Sequence, residues 1–223
     1  AKGNLLLNNV ELLYNTATVT GGGLYIYGSA SIDSIIMDTV LIFNNNAKYY
    51  AGGLAIQYAH LIGKFETNNV KIISNTSDAS AGLWLGYAND DFSLSGITLA
   101  YNKGSTIVGH FSYGSNKYNL SKSSIYNNEN TDYAINAMGG SIIDKSNFFG
   151  NKRALYNSVG PNMVTAENNY WGDSSGPYHP SQNTSGSGDS TSSIVDVDPW
   201  LTTPDTDAPP IPSQNLKLTA STA

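Results

Sequence analysis

Apolar residues recur along the chain in short alternating runs, never at helical spacing. In Leu24/Ile26, Leu54/Ile56 and Leu83/Leu85, two apolar positions bracket a single position of opposite facing, and a Gly precedes each run. The segments LLYNTATVTGGGLYI (12–26), IFNNNAKYYAGGLAI (42–56) and IISNTSDASAGLWL (72–85) share one order. An apolar residue is followed by two more residues, Asn, a short polar turn, Gly, and then an alternating strand. Asn15, Asn45 and Asn75 lie 30 residues apart, and the series continues at shorter steps through Asn102, Asn127, Asn151 and Asp173. In the last copy Tyr170-Trp171-Gly172-Asp173 aligns with Phe148-Phe149-Gly150-Asn151.

Alternation over a few residues, bounded by Gly, Asn and Ser, is a strand signal. A unit of 22 to 30 residues with strand content alone cannot enclose a core, so each copy must stack on the next. The predicted fold is all-β: a right-handed, single-stranded parallel β-helix of about seven coils over residues 1–201. One coil per strand spacing gives a stack of roughly 30 Å, and the hand follows from the rule for parallel crossovers. The repeated Asn predicts a structural ladder of Asn15, Asn45, Asn75, Asn102, Asn127, Asn151 and Asp173. Asn tolerates the left-handed conformation of a tight turn, and stacked amides can hydrogen-bond from coil to coil.

The [Leu/Ile/Phe]-x-x-Asn-x-[Ala/Ser] … Gly-Gly-[Leu] pattern resembles the polymorphic outer-membrane-protein repeats and the wider group of right-handed parallel β-helix surface proteins. NNYWGDSSGP (168–177) followed by IVDVDPWL (194–201) resembles the closing coil of many prokaryotic members, with Trp200 as a lid on the core. The resemblance covers residues 4 to 201 and implies a fold far more than an activity. Ser124 departs from the apolar slot, and the later coils lose the Gly-Gly pair. TTPDTDAPPIPSQ (202–214) has no periodicity and reads as a linker. NLKLTASTA (215–223) alternates like the first strand of a truncated β-sandwich and resembles the entry to a fibronectin-type-III-like module. The opening Ala1-Lys2-Gly3, with no leader before it, suggests a chain trimmed or cut from something longer.

Composition narrows the partners. Only 13% of residues are charged and the net charge is −6, which disfavours nucleic acid. Asn, Ser, Thr and 15 tyrosines supply the polarity instead, a surface suited to sugars or other protein surfaces. No apolar run approaches the ~18 residues of a membrane helix. The chain has no Cys, so disulfides and thiolate metal sites are excluded.

Asp90-Asp91 with Gly109-His110 resembles the paired aspartates and Gly-His of polygalacturonases, where carboxylates act as acid and base. Their offsets from the ladder differ by seven residues, roughly 20 Å of extended chain, so the reading favours a solvated turn. A lyase would need a Ca²⁺-binding acidic cluster and a base. Arg153, Lys152, Lys145 and Asp144 do not supply that set and read as turn charges. Asp196, Asp198, Asp205 and Asp207 are weak candidates for a Ca²⁺ site. His60, His110 and His179 lack ligand spacing. Asn75, Asn119 and Asn183 begin glycosylation triplets.

Outward aromatics are the stronger lead. If Leu24 and Ile26 point inward, Tyr25 and Tyr27 point outward, and Trp84 does the same between Leu83 and Leu85. Phe111 and Tyr113 extend the stripe. Such a stripe stacks on sugar rings or forms a protein interface. The expectation is a secreted or cell-surface protein, prokaryotic in character, acting without catalysis in adhesion, contact with a polysaccharide or glycan, or fibre assembly with copies of itself. The alternatives are a pectin-degrading lyase or hydrolase, and a structural filament or stalk subunit joined end to end.

Overall fold

A computed structural model describes residues 3–28, 31–58, 60–86, 92–104, 107–112, 117–129, 132–157 and 162–212. The described residues contain strands and no helix, and every ladder between strands is parallel. The chain winds as a parallel β-helix whose strands stack into four sheets. The first sheet holds Asn4–Leu13, Ser31–Phe43, His60–Ile73, Ile97–Ala100, Ser124–Tyr126 and Asn147–Phe149. A short second sheet of two-residue strands runs from Thr16–Ala17 to Lys103–Gly104. The third sheet runs from Leu24–Tyr27 through Leu54–Gln57, Ser80–Gly86 and Ile107–Ser112 to Ser190–Thr191. The fourth runs from Phe92–Ser95 to Val195–Asp196.

The turn count departs from the expected seven: the helix makes about five regular turns. Six strands of the first sheet enclose only five circuits. The seventh copy, at Tyr170, contributes single bridges to Asn147 and Leu201 in place of a strand.

Inward side chains form one continuous core. The row Ile42, Ile72, Leu99, Ile125 and Phe148 is fully buried, and Trp171 closes it with its ring stacked 4.7 Å from Phe148. Trp200, expected as a lid, packs against this core while half-buried. One row of φ-positive residues marks the corner before the first sheet's final run: Asn9, Thr39, Asn69, Gly96, Lys122, Lys145 and Asn168. Turning a strand sharply at fixed register needs a left-handed residue at the same place in every coil.

Residues 202–212, expected as a free linker, lie against the outside of the first sheet. Asn147 holds the strap at both polar atoms of one residue: its Nδ2 donates to Asp205 O at 3.0 Å, and Asp205 N donates to its Oδ1 at 2.8 Å. Ser124 Oγ donates to Pro209 O, and Lys122 pairs with Asp207 at 3.3 Å. Prolines suit this position because an extended, pre-set backbone loses little entropy on docking. Residues 215–223 lie outside the described residues.

Candidate functional site

The asparagine corner shows what the repeat encodes. Asn15, Asn45, Asn75, Asn102, Asn128 and Asn151 form one hydrogen-bonded line. At each rung the backbone N–H and side-chain Nδ2 donate to the Oδ1 of the next; Asn45 gives 2.9 and 3.0 Å to Asn75. From Asn45 onward the second proton of Nδ2 reaches back to a carbonyl one coil earlier, as from Asn45 to Leu12 O at 2.8 Å. Both side-chain N–H groups and the oxygen are thereby used, which is what burial of an amide demands.

Two expected rungs are corrected. Asn127 is not in the line; Asn128 is. The turn and the rung are separate jobs on adjacent residues. Tyr14, Asn44, Ser74, Tyr101, Asn127 and Gly150 take the left-handed conformation, and the residue after each carries the amide. With this register Ile125 fills the apolar slot that Ser124 was expected to leave unfilled. Asp173 is likewise outside the line: it accepts from the N–H and hydroxyl of Ser175, which lowers its pKa. Asp189 ends the ladder, receiving Asn151 N at 2.9 Å and Nδ2 at 2.8 Å on one oxygen, and Lys152 N at 3.2 Å on the other. The insertion between Trp171 and Asp189 hides this residue from a periodic reading. Burial raises its pKa against the pull of those hydrogen bonds.

A second, shorter line was missed. Ile97 N donates to Ser123 Oγ, Ser123 N to Ser146 Oγ, and Ser146 N to Asn169 Oδ1. Ser and Asn are common throughout this chain, so only their 23-residue spacing could have singled them out.

The glycines beside the ladder have a steric cause. A Cβ on Gly53 would lie 2.5 Å from Gly82 O and 2.8 Å from Ile72 Cγ2. The strand following each turn packs against the rung of the next coil, and only Gly fits that approach.

On the third sheet one outward column contains Tyr25, Ala55, Trp84, His110, Asn136 and Tyr156. Tyr25 and Tyr27 are 40% and 63% exposed, with ring centroids 5.9 Å apart. Tyr58, 41% exposed, meets Tyr27 edge to face at 5.6 Å, and Tyr25 hydroxyl donates to Gln57 Oε1 at 2.6 Å. Burial and the two neighbouring phenols raise the Tyr25 pKa.

Trp84 is corrected: it lies outside the core, yet is only 5% exposed. Tyr50 stacks on it at 4.7 Å, and it packs over Ala51 and Ala55 as a small external core. Phe111 pairs with Leu85, so its backbone position belongs to the inward column of Ile26, Ile56 and Leu85; the outward place is that of His110. Tyr113 lies outside the described residues, as do Asp90 and Asp91.

Comparison with protein families, curated proteins and solved structures returned no match.

The other candidates are placed apart. Arg153 sits over the Tyr133 ring at 5.8 Å, and Tyr133 stacks on Tyr156 at 5.0 Å. Asp196 Oδ1 accepts from Gln182, Asp205 Oδ1 accepts from Asp207 N, Asp207 pairs with Lys122, and Asp198 precedes Pro199. Among the described residues no three Asp, Glu or His side chains converge as a metal site. His60 and His110 belong to strands on different sheets. His179 is buried and its Nδ1 accepts from Ser181 N and Gln182 N. Of the glycosylation triplets, Asn75 is fully buried as a rung. No helix among the described residues is long and apolar enough to cross a membrane.

Proposed function

We propose that this chain is a secreted or cell-surface β-helix protein that contacts glycans through its tyrosine face, without catalysis, in an adhesive role. The observation that carries the reading is the cluster of Tyr25, Tyr27 and Tyr58: three exposed rings in mutual contact on a sheet surface, with Gln57 among them. Rings held by neighbouring strands lose little freedom on binding, and their faces suit the C–H side of a pyranose while phenols and the amide meet its hydroxyls. The resemblance to polymorphic outer-membrane-protein-like repeats and prokaryotic surface β-helix proteins supports the location. The fibronectin-type-III-like reading of the last residues belongs to the same proposal.

Glycan pull-down on the purified chain, with negative-stain microscopy of the same sample, tests it. Monomers that retain a polysaccharide, and lose it on Tyr27→Ala, support the tyrosine face. Ordered fibres without glycan retention would replace it with end-to-end assembly. Turnover of a pectic substrate would replace it with the enzymatic reading.

A further inference from the structure

Between the strap and the first sheet lies a groove of about 410 Å³. Its floor comes from three successive coils, with Asn68 and Lys71 on one, Thr98 on the next and Tyr126 on the third; Pro209 and Pro210 form the opposite wall. Lys71 pairs in register with Thr98. Two coil steps set the length of the floor at about 10 Å. We propose that this groove is a second binding site, walled by the chain's own strap, for one or two rings of a neutral saccharide.

The lining chemistry sets the class. Lys71 is a donor at one end, and Thr98, a nearly buried residue, adds a hydroxyl. Asn68 commits Nδ2 to Asp38 at 2.7 Å, which fixes its amide and leaves Oδ1 as an acceptor. Tyr126 is held edge to face by Tyr101 at 5.6 Å, so its ring is set before any ligand arrives. The proline rings and Ala208 offer apolar C–H surface. Fixed donors and acceptors opposite an apolar wall match a pyranose, with hydroxyls on its rim and C–H groups on its faces.

The net charge of the chain argues against an anion: it is −6, and the one carboxylate among the described residues lining the groove, Asp207, is paired with Lys122. An uncharged ligand avoids that repulsion. Length argues against a peptide: about 10 Å accommodates three extended residues at most. The volume lies in the lower part of the range of small-ligand sites.

The site is independent of the tyrosine face, and the test separates them. Cellobiose and N,N′-diacetylchitobiose are titrated to about 10 mM while backbone amide shifts are followed. Shifts at Lys71, Thr98, Tyr126 and Ala208 with either sugar are the expected result. Lys71→Ala and Pro210→Gly, both at solvent-facing positions, each weaken binding about tenfold, a loss of about 1.4 kcal/mol. Tyr27→Ala leaves these shifts unchanged. The proposal fails if neither sugar moves the groove amides, or if shifts appear only around Tyr25, Tyr27 and Tyr58. It also fails if Lys71→Ala and Pro210→Gly are silent, or if digalacturonate binds the groove where both neutral sugars do not.

Discussion

Asn151 delivers both its backbone N–H and its side-chain amide to a single oxygen of Asp189, at 2.9 and 2.8 Å. Every earlier rung makes the same pair of bonds to an Asn oxygen, so the line of aligned amides ends on a carboxylate. Removing that acceptor strands buried donors. Asp189→Ala is expected to cost about 3 kcal/mol in urea unfolding. Asp189→Asn keeps the oxygen that Asn151 uses and removes a buried charge, while losing the acceptor of Lys152 N. Its cost is expected to stay within about 1 kcal/mol. Equal losses in the two variants would show that the carboxylate is required for more than accepting the rung.

In the middle of the ladder the reverse exchange is harsh. Asn102 is fully buried and donates to Asn128 Oδ1 at 3.1 Å and Ile72 O at 2.9 Å. Asn102→Asp places a carboxylate oxygen against two acceptors. A loss of about 4 kcal/mol is expected, larger than that of Asn102→Ala, and the gap should narrow in acid as the new carboxyl gains a proton.

His179 gives the closing segment a pH dependence. Its Nδ1 accepts two backbone N–H groups, so the ring is neutral with its proton on Nε2. Burial lowers its pKa below the ordinary histidine value of about 6.5, against the opposing influence of the Val195 and Ser192 backbone and of Asp196. With the folded pKa below the unfolded one, the unfolded chain binds more protons in that window. The stabilisation is therefore present above 6.5 and is lost as pH falls through the folded value. Asp189 acts in the opposite sense, since its raised pKa favours the folded state in acid. The His179 contribution is read as the difference in pH slope between the native chain and His179→Gln. Parallel slopes would contradict it.

Trp84 and Tyr27 separate packing from contact. Trp84→Ala removes the lid over Ala51 and Ala55 and the stack with Tyr50, and is expected to cost about 3 kcal/mol. Tyr27→Ala, at an exposed ring, is expected to change stability by about 0.5 kcal/mol or less while reducing glycan retention. A silent Trp84→Ala would show that the external cluster contributes nothing to the fold.

Period and alternation made the parallel β-helix legible because both are written in every coil. Leu24, Leu54 and Leu83 share a column in the structure as they share a place in the repeat. What failed was hidden by ambiguity or interruption of the repeat. Asn127 and Asn128 are chemically identical neighbours like Asn44 and Asn45, and it is the apolar slot three residues earlier, Ile125 as Ile42 before, that assigns Asn128 to the rung and Asn127 to the turn. Asp189 stands beyond an insertion. Trp84 was correctly placed outside the core by alternation, but its burial depends on Tyr50, a turn residue whose direction no pattern records. The strap resembles a linker in composition, and its docking becomes visible only through Asn147 and Ser124 on the sheet it crosses.

The one-way order of the ladder restricts how such a chain can change length. Each rung hands its backbone N–H and one side-chain proton toward the Asp189 end, so a coil is interchangeable only with another that receives on one side and gives on the other. Removal of a whole period, such as 46–75, would leave donors still facing acceptors. Loss of a few residues within a coil would set the apolar row, the glycine and the rung out of phase together. Length variants of this protein should therefore differ by complete circuits upstream of Asn151, while the segment from Trp171 to Asp189 behaves as a terminator that cannot be copied into the interior.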